Sequence, residues 1–178
     1  PELLRWFQAI GVELVEGYGA TETSGTATAN TPSDNLPGTV GRALRRPEVR
    51  IAKSGEVLVR GPHIFAGYWK NPEATADTIR DGWLHPGAIA RCYKDGCFSI
   101  LGRSKEMFIS GGENVYPAEI ESALLAHPLV MEAAVVGVPH ETWGEVGRAY
   151  VVIAGDDAND YSEEGVRDFL AKRLARYK

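Results

Sequence analysis

Two short stretches carry the residue types that do chemistry. Tyr18-Gly19-Ala20-Thr21-Glu22 sets a hydroxyl and a carboxylate side by side behind glycines. Glycine lets the backbone approach a ligand closely. The oxygen pair suits a phosphate and its Mg²⁺, a cation that takes oxygen ligands. A polar strand-to-strand loop with a capping threonine is the plain alternative. Farther on, Ser110-Gly111-Gly112-Glu113-Asn114-Val115-Tyr116-Pro117 places two glycines ahead of a helix start. That pattern suits a lid or a loop that admits a cofactor, and equally a turn followed by a helix cap.

Other reactive types lack a pattern. His63, His85, His127 and His140 are spread without ligand spacing, which argues against a zinc site. Asp156, Asp157 and Asp160 lack the repeat of a calcium loop and read as a solvated turn. Trp69, Trp83 and Trp143 read as packing residues, and Lys178 as a solvated cation at a helix C-terminus.

The elements that position these residues follow from periodicity and turn chemistry. Residues 3–10 read as a short helix leading into a buried strand at Val12–Val15, then the glycine-rich polar loop 17–25. Val49–Ala52 and Glu56–Arg60 read as strands around Lys53-Ser54-Gly55. Asn71-Pro72 starts a helix, Asn as cap and Pro at the first helical position, that stops before Asp81-Gly82. Ala88–Tyr93 and Cys97–Leu101 form a hairpin around Asp95-Gly96.

After Gly102-Arg103-Ser104-Lys105 the pattern changes to alternating helices and strands. Pro117 opens a helix with Ile120, Ala123 and Leu124 on one face, closed by His127-Pro128. Ala133–Val138 and Ala149–Ile153 read as continuous apolar strands, followed by the acidic loop Gly155–Tyr161. Ser162 caps a last helix with Val166, Phe169, Leu170 and Leu174 as its stripe. The reading is therefore a β-rich part over 1–102 and a small α/β part over 103–178, an α+β and α/β combination.

Composition bounds the function. The 178 residues are 44% apolar, enough for one domain or two small ones. A net charge of −5 proposes no nucleic-acid or membrane-surface partner. No apolar run approaches the roughly 20 residues that cross a bilayer, and no signal segment opens the chain. If Asp95-Gly96 were a two-residue turn, Cys92 and Cys97 would be diagonal neighbours, a poor disulfide geometry. Free thiols in a reducing cytoplasm are expected. The abrupt start at Pro1 and stop at Lys178 suggest a piece of something longer.

Taken together and in order, the motifs resemble the adenylate-forming superfamily, in particular its fatty-acid and aromatic acyl-CoA ligases. They are Gly17–Glu22, Pro37-Gly38 to Gly41-Arg42, Gly55-Glu56 to Gly61-Pro62, Gly67-Tyr68-Trp69, Asp81-Gly82-Trp83, Gly102-Arg103, Ser110–Pro117, Val136–Pro139, Gly144-Glu145 and Leu174–Lys178. Many matches in fixed order are far more specific than any one of them. The resemblance implies the end of a large adenylation domain followed by a truncated C-terminal lid domain. It implies a ligase of fatty acid metabolism with ATP/AMP, Mg²⁺ and coenzyme A as cofactors and a carboxylic acid, medium- or long-chain fatty first and aryl second, as substrate. Whether the chain pairs with a second copy is open.

The implied roles go residue by residue. Tyr18 would lie against adenine, with Gly17, Gly19 and Ala20 shaping the nucleotide and acyl pocket. Thr21 would contact phosphate and substrate carboxylate, and Glu22 would hold Mg²⁺. Arg103 would reach the ribose or phosphate, and Lys105 would mark the hinge pivot. Ser110, Gly111 and Gly112 would border the pantetheine tunnel. The family's phosphate loop is expected before Pro1 and its adenylation lysine beyond Lys178, so the chain alone is expected to make no acyl-adenylate.

One departure stands out. Where members of the superfamily read Thr-Gly-Asp, this chain reads Pro86-Gly87-Ala88, which removes the carboxylate that accepts the ribose hydroxyls. A catalytically degenerate relative that binds a nucleotide, CoA or a protein is therefore the alternative expectation.

Overall fold

The computed structural model describes residues 2–153 and 162–175, so the acidic stretch Gly155–Tyr161 and the residues Arg176–Lys178 lie outside the described residues. The chain divides into two compact units, Pro1–Ile100 and Leu101–Lys178.

In the first unit, helix α1 (Glu2–Ala9) stands where the sequence places it. The strand expected at Val12–Val15 does not form: the segment is irregular and both valines are exposed. An apolar run becomes a strand only when a neighbour completes its ladder. Among the described residues none does, and Leu14 and Glu16 instead give their carbonyls to Asn35 Nδ2 at 2.7 Å and Asn30 N at 2.8 Å. The glycine-rich stretch is also not a loop. It is an antiparallel hairpin of β1 (Gly17–Ala20) and β2 (Gly25–Ala29), with β3 (Arg42–Ala43) on the far side of β2.

A second sheet contains β4 (Glu48–Ile51) and β5 (Val57–Arg60), joined through Lys53-Ser54-Gly55 as expected. Helix α2 (Pro72–Thr78) begins with Asn71 Oδ1 accepting from Ala74 N at 3.0 Å. It runs directly into β6 (Ile79–Arg80) and β7 (Trp83–Leu84), completing the order β4-β5-β7-β6. β8 (Ala88–Cys92) and β9 (Phe98–Arg103) form the expected hairpin. Its turn is longer than the two residues assumed. Tyr93 N donates to Cys97 O and Gly96 N to Tyr93 O, so Cys97 faces Tyr93 across a Lys94-Asp95-Gly96 loop with Gly96 at φ 86°. Both cysteines are free thiols, Cys92 exposed and Cys97 buried. The core of this unit gathers Ala27, Val57, Val59, Leu84, Ala88 and Ala90.

The second unit has one antiparallel sheet, order β11-β10-β13-β12, built from β10 (Phe108–Ser110), β11 (Glu113–Val115), β12 (Val130–His140) and β13 (Gly144–Ile153). Helices α3 (Pro117–Leu125) and α4 (Glu163–Ala171) pack against it. Pro117 opens α3, and Ser162 Oγ caps α4 by accepting from Gly165 N at 3.0 Å. Ile120, Leu124 and Val166 join Phe108, Val115, Val130 and Val135 in one core. The apolar runs at 133–138 and 149–153 extend into longer strands than expected. They are covered on alternate residues only, so Val135 is buried while Val136, Tyr150 and Val152 are exposed. Among the described residues no helix is long and apolar enough to cross a membrane.

Candidate functional site

The β1–β2 hairpin shapes the first candidate site. The ladder shifts register between Tyr18 and Gly19, and a Cβ on Gly19 would collide with the carbonyl of Gly25. Only glycine fits that close approach. Between the strands Thr21–Thr23 make one tight helical turn, closed by Ser24 in the left-handed region at φ 50°. Thr23 is buried and ties the turn down: its Oγ1 accepts from Ala20 N at 2.8 Å and donates to Gly25 O at 2.5 Å. The threonine that ties the turn is thus Thr23 and not the Thr21 of the expected stretch, and Thr21 is exposed.

Glu22 is held from a distant segment. Tyr68 Oη donates to Glu22 Oε1 at 2.6 Å, and Phe65 N donates to Glu22 O at 2.9 Å. Tyr18 packs on the edge of the core, and its phenol is pushed up to about 12, first by burial and then by the Glu22 and Glu56 carboxylates. Gly17, Tyr18, Gly19 and Ala20 thus form β1, Thr21 and Glu22 lie in the helical turn that follows, and Tyr68 is hydrogen-bonded to Glu22.

Glu56 organises the neighbouring segment. Its Oε2 lies 3.0 Å from His85 Nδ1, and its Oε1 accepts from Gly87 N at 3.2 Å. The pair is largely shielded, with side chains 17% and 18% exposed. This one carboxylate fixes the course of His85-Pro86-Gly87 into Ala88. Ala88 is 8% exposed and belongs to the core.

The second unit holds the remaining expected residues. Arg103 is 79% exposed at the end of β9, within 4.0 Å of Glu106, and Lys105 is exposed beyond it. Ser110 pairs with Glu113 across Gly111 and Gly112, whose φ of 58° and 88° make a primed two-residue hairpin turn. Gly111 N donates to Trp143 O at 2.9 Å, and a Cβ there would press on the Trp143 ring at 2.9 Å. The expected lid loop is thus a tight hairpin tip braced by Trp143. The tryptophans are not uniformly packing residues: Trp83 is buried with the Arg50 and Arg60 guanidinium groups over its ring, while Trp69 is 88% exposed and Trp143 is exposed.

The family model for the AMP-binding enzyme matches residues 1–69, and that for the AMP-binding enzyme C-terminal domain matches residues 119–178. The chain belongs to the AMP-binding enzyme family. Among curated members of the family, it is 42% identical to a 2-succinylbenzoate--CoA ligase of Geobacillus kaustophilus, over 94% of this chain and 36% of that protein. It is 40% identical to a long-chain-fatty-acid--CoA ligase of Mycobacterium tuberculosis, over 99% of this chain and 37% of that protein. The chain therefore spans little more than a third of these relatives.

Among solved family structures, the o-succinylbenzoate CoA synthetase of Bacillus subtilis with its acyl-adenylate intermediate superposes with TM-score 0.90. Identity is 33%, over 99% of this chain and 38% of that one. The same synthetase with ATP and magnesium ion gives TM-score 0.89 at 32% identity. The mixed α/β fold, mostly sheet, is that of these adenylate-forming enzymes.

Within the family frame, a metal fits Glu22 in one way. Among the described residues no three His, Cys, Asp or Glu side chains converge. A Mg²⁺ ion would rest on one protein carboxylate, with phosphate oxygens and water supplying the rest, as that ion commonly does. Glu22 Oε2 has no hydrogen-bond partner among the described residues and is open to that role. Glu56 and Tyr68 stand within the motifs and His85 among the scattered histidines, but their pairings were not legible in the sequence. Their partners lie 46 and 29 positions away, and no local spacing encodes such pairs.

Proposed function

We propose that this chain is part of an ATP-dependent, AMP-forming acid–CoA ligase. The Gly17–Glu22 hairpin serves acyl-adenylate formation, and the Ser110–Gly112 hairpin serves thioester formation. The observation that carries the proposal is the hairpin itself. A glycine-permitted close approach sets Tyr18, Thr21 and Glu22 in one short segment, with Glu22 anchored twice by the Phe65–Tyr68 segment. In this reading a carboxylate attacks the α-phosphate of ATP, releasing pyrophosphate, and the CoA thiolate then displaces AMP. Tyr18 borders the adenine and Gly17, Gly19 and Ala20 the acyl and nucleotide floor. Thr21 contacts phosphate and substrate carboxylate, and Glu22 holds the Mg²⁺ that neutralises charge on the phosphates. Arg103 and Lys105, exposed at the start of the second unit, are the nucleotide-contacting and pivot residues. The enzyme is proposed to be cytoplasmic, which the two free thiols support.

The substrate proposed is a medium- or long-chain fatty acid, supported by the 40% identical mycobacterial ligase. An aryl acid is the second reading, supported by the 42% identical succinylbenzoate ligase. Ala88 supports a different alternative, a relative that binds nucleotide or CoA without turnover. Hydrogen bonds to a charged acceptor contribute ~1.5–3 kcal/mol each, so their loss weakens ATP binding about tenfold or more.

One experiment tests all three. Pyrophosphate release is measured from the full-length protein containing this chain, with ATP, Mg²⁺ and a panel of fatty and aryl acids. Turnover is expected, and the acid that supports it names the class. Ala88→Asp with Pro86→Thr is expected to tighten ATP binding about tenfold or more. It should also lower thermal stability, because position 88 is a core site and a buried carboxylate is costly. No turnover by either form removes the ligase reading and leaves the binding module.

A further inference from the structure

The segment Phe65–Tyr68 touches Glu22 twice. Phe65 N donates to the Glu22 carbonyl at 2.9 Å, and the Tyr68 hydroxyl donates to the Glu22 carboxylate at 2.6 Å. The Tyr68 ring stands edge-on to Phe65, with centroids 4.8 Å apart and planes at 73°. Phe65 in turn packs on the first unit's core. On the other side, Tyr68 N donates to Thr75 Oγ1 at 2.9 Å, and Thr75 Oγ1 donates to Asn71 O at 2.8 Å. Gly67 makes room for this anchor: at φ 143° it sits where a Cβ would meet Thr75 Cγ2 at 2.6 Å. The phenol is thus held by core, helix and loop together, and what it holds is one oxygen of Glu22.

We infer that Tyr68 is a positioning residue that presets the Glu22 carboxylate for the divalent cation of a bound metal–nucleotide complex. The inference rests on the reading of Glu22 as the metal-holding residue. A glutamate side chain loses considerable rotamer freedom when it is ordered. Ordering it during folding removes that cost from the binding step. The hydrogen bond occupies Oε1 and leaves Oε2 for the cation.

The test is a Mn²⁺ titration of the full-length protein in the presence of ATP, with free Mn²⁺ read by its paramagnetic resonance. Wild type, Tyr68→Phe, Glu22→Gln and the double variant are compared, and thermal midpoints are read in parallel. Tyr68→Phe keeps the ring against Phe65 and removes only the donor. It is expected to weaken Mn²⁺ binding about three- to tenfold, with metal-free ATP affinity unchanged. Glu22→Gln is expected to weaken it at least as much, and the double variant no further, because the phenol acts through the carboxylate. Wild-type Mn²⁺ affinity in Tyr68→Phe, alongside weakening in Glu22→Gln, overturns the inference and leaves the Glu22 reading standing. A lowered thermal midpoint alone assigns Tyr68 to structure and also overturns it. Unchanged Mn²⁺ affinity in Glu22→Gln overturns the Glu22 reading itself.

Discussion

Tyr18 shows how one residue couples fold and site. Its ring packs on the core that holds Val57 and Leu84, while its hydroxyl feels Glu22 and Glu56. The phenol that ionises near 10.0 in a free chain is held to about 12 in the fold. Between those values the unfolded chain releases a proton that the folded one keeps. The stabilisation is therefore complete below pH 10.0 and is lost as pH rises toward about 12. A denaturant series across that window is expected to show stability falling with pH, and falling less steeply in Tyr18→Phe. Equal slopes in the two proteins would mean that Tyr18 is not protected from ionisation. Tyr68, raised by its hydrogen bond to Glu22, remains in the variant, so some slope persists.

Turn chemistry decides most of the elements. Lys53-Ser54-Gly55 and Lys94-Asp95-Gly96 close their hairpins identically: Ala52 N to Glu56 O and Tyr93 N to Cys97 O are both 2.8 Å, with Gly55 at φ 87° and Gly96 at φ 86°. Asp81-Gly82, at φ 51° and 75°, makes instead a primed two-residue turn that pairs Arg80 with Trp83. The same Asp-Gly dipeptide thus serves two loop lengths, so its length was not legible from the pair of residues alone. Helix starts were legible, because a cap is a local hydrogen bond. Asn71→Ala and Ser162→Ala are each expected to lower stability by about 1 kcal/mol in chemical denaturation, while Asp at either position largely preserves it. A loss within error for both would show that these caps do not hold their helices.

At the scale of the whole chain, each unit has a core of its own residues. Leu84 is fully buried in the first and Leu124 nearly so in the second. Leu→Ala at such positions costs about 2–5 kcal/mol. Leu84→Ala is expected to speed amide exchange through β4, β5 and β7 and to leave β12 and α3 protected; Leu124→Ala should do the reverse. Exchange that rises everywhere in both variants would show that the units unfold as one.

Local rules carried the helix caps, most strands, the candidate stretches at 17–22 and 110–117, and the family resemblance, because each depends on residues close in sequence or in fixed order. Tertiary structure decided three things that no local pattern holds. Val12–Val15 stayed irregular because a strand needs a partner. The polar stretch at 17–25 became a hairpin because Gly19 lets the strands close on Gly25. Glu22 and His85 found Tyr68 and Glu56 because folding brings together carboxylates and donors far apart in the chain. A hydrogen bond is fixed by distance and angle in space, and sequence separation does not encode either.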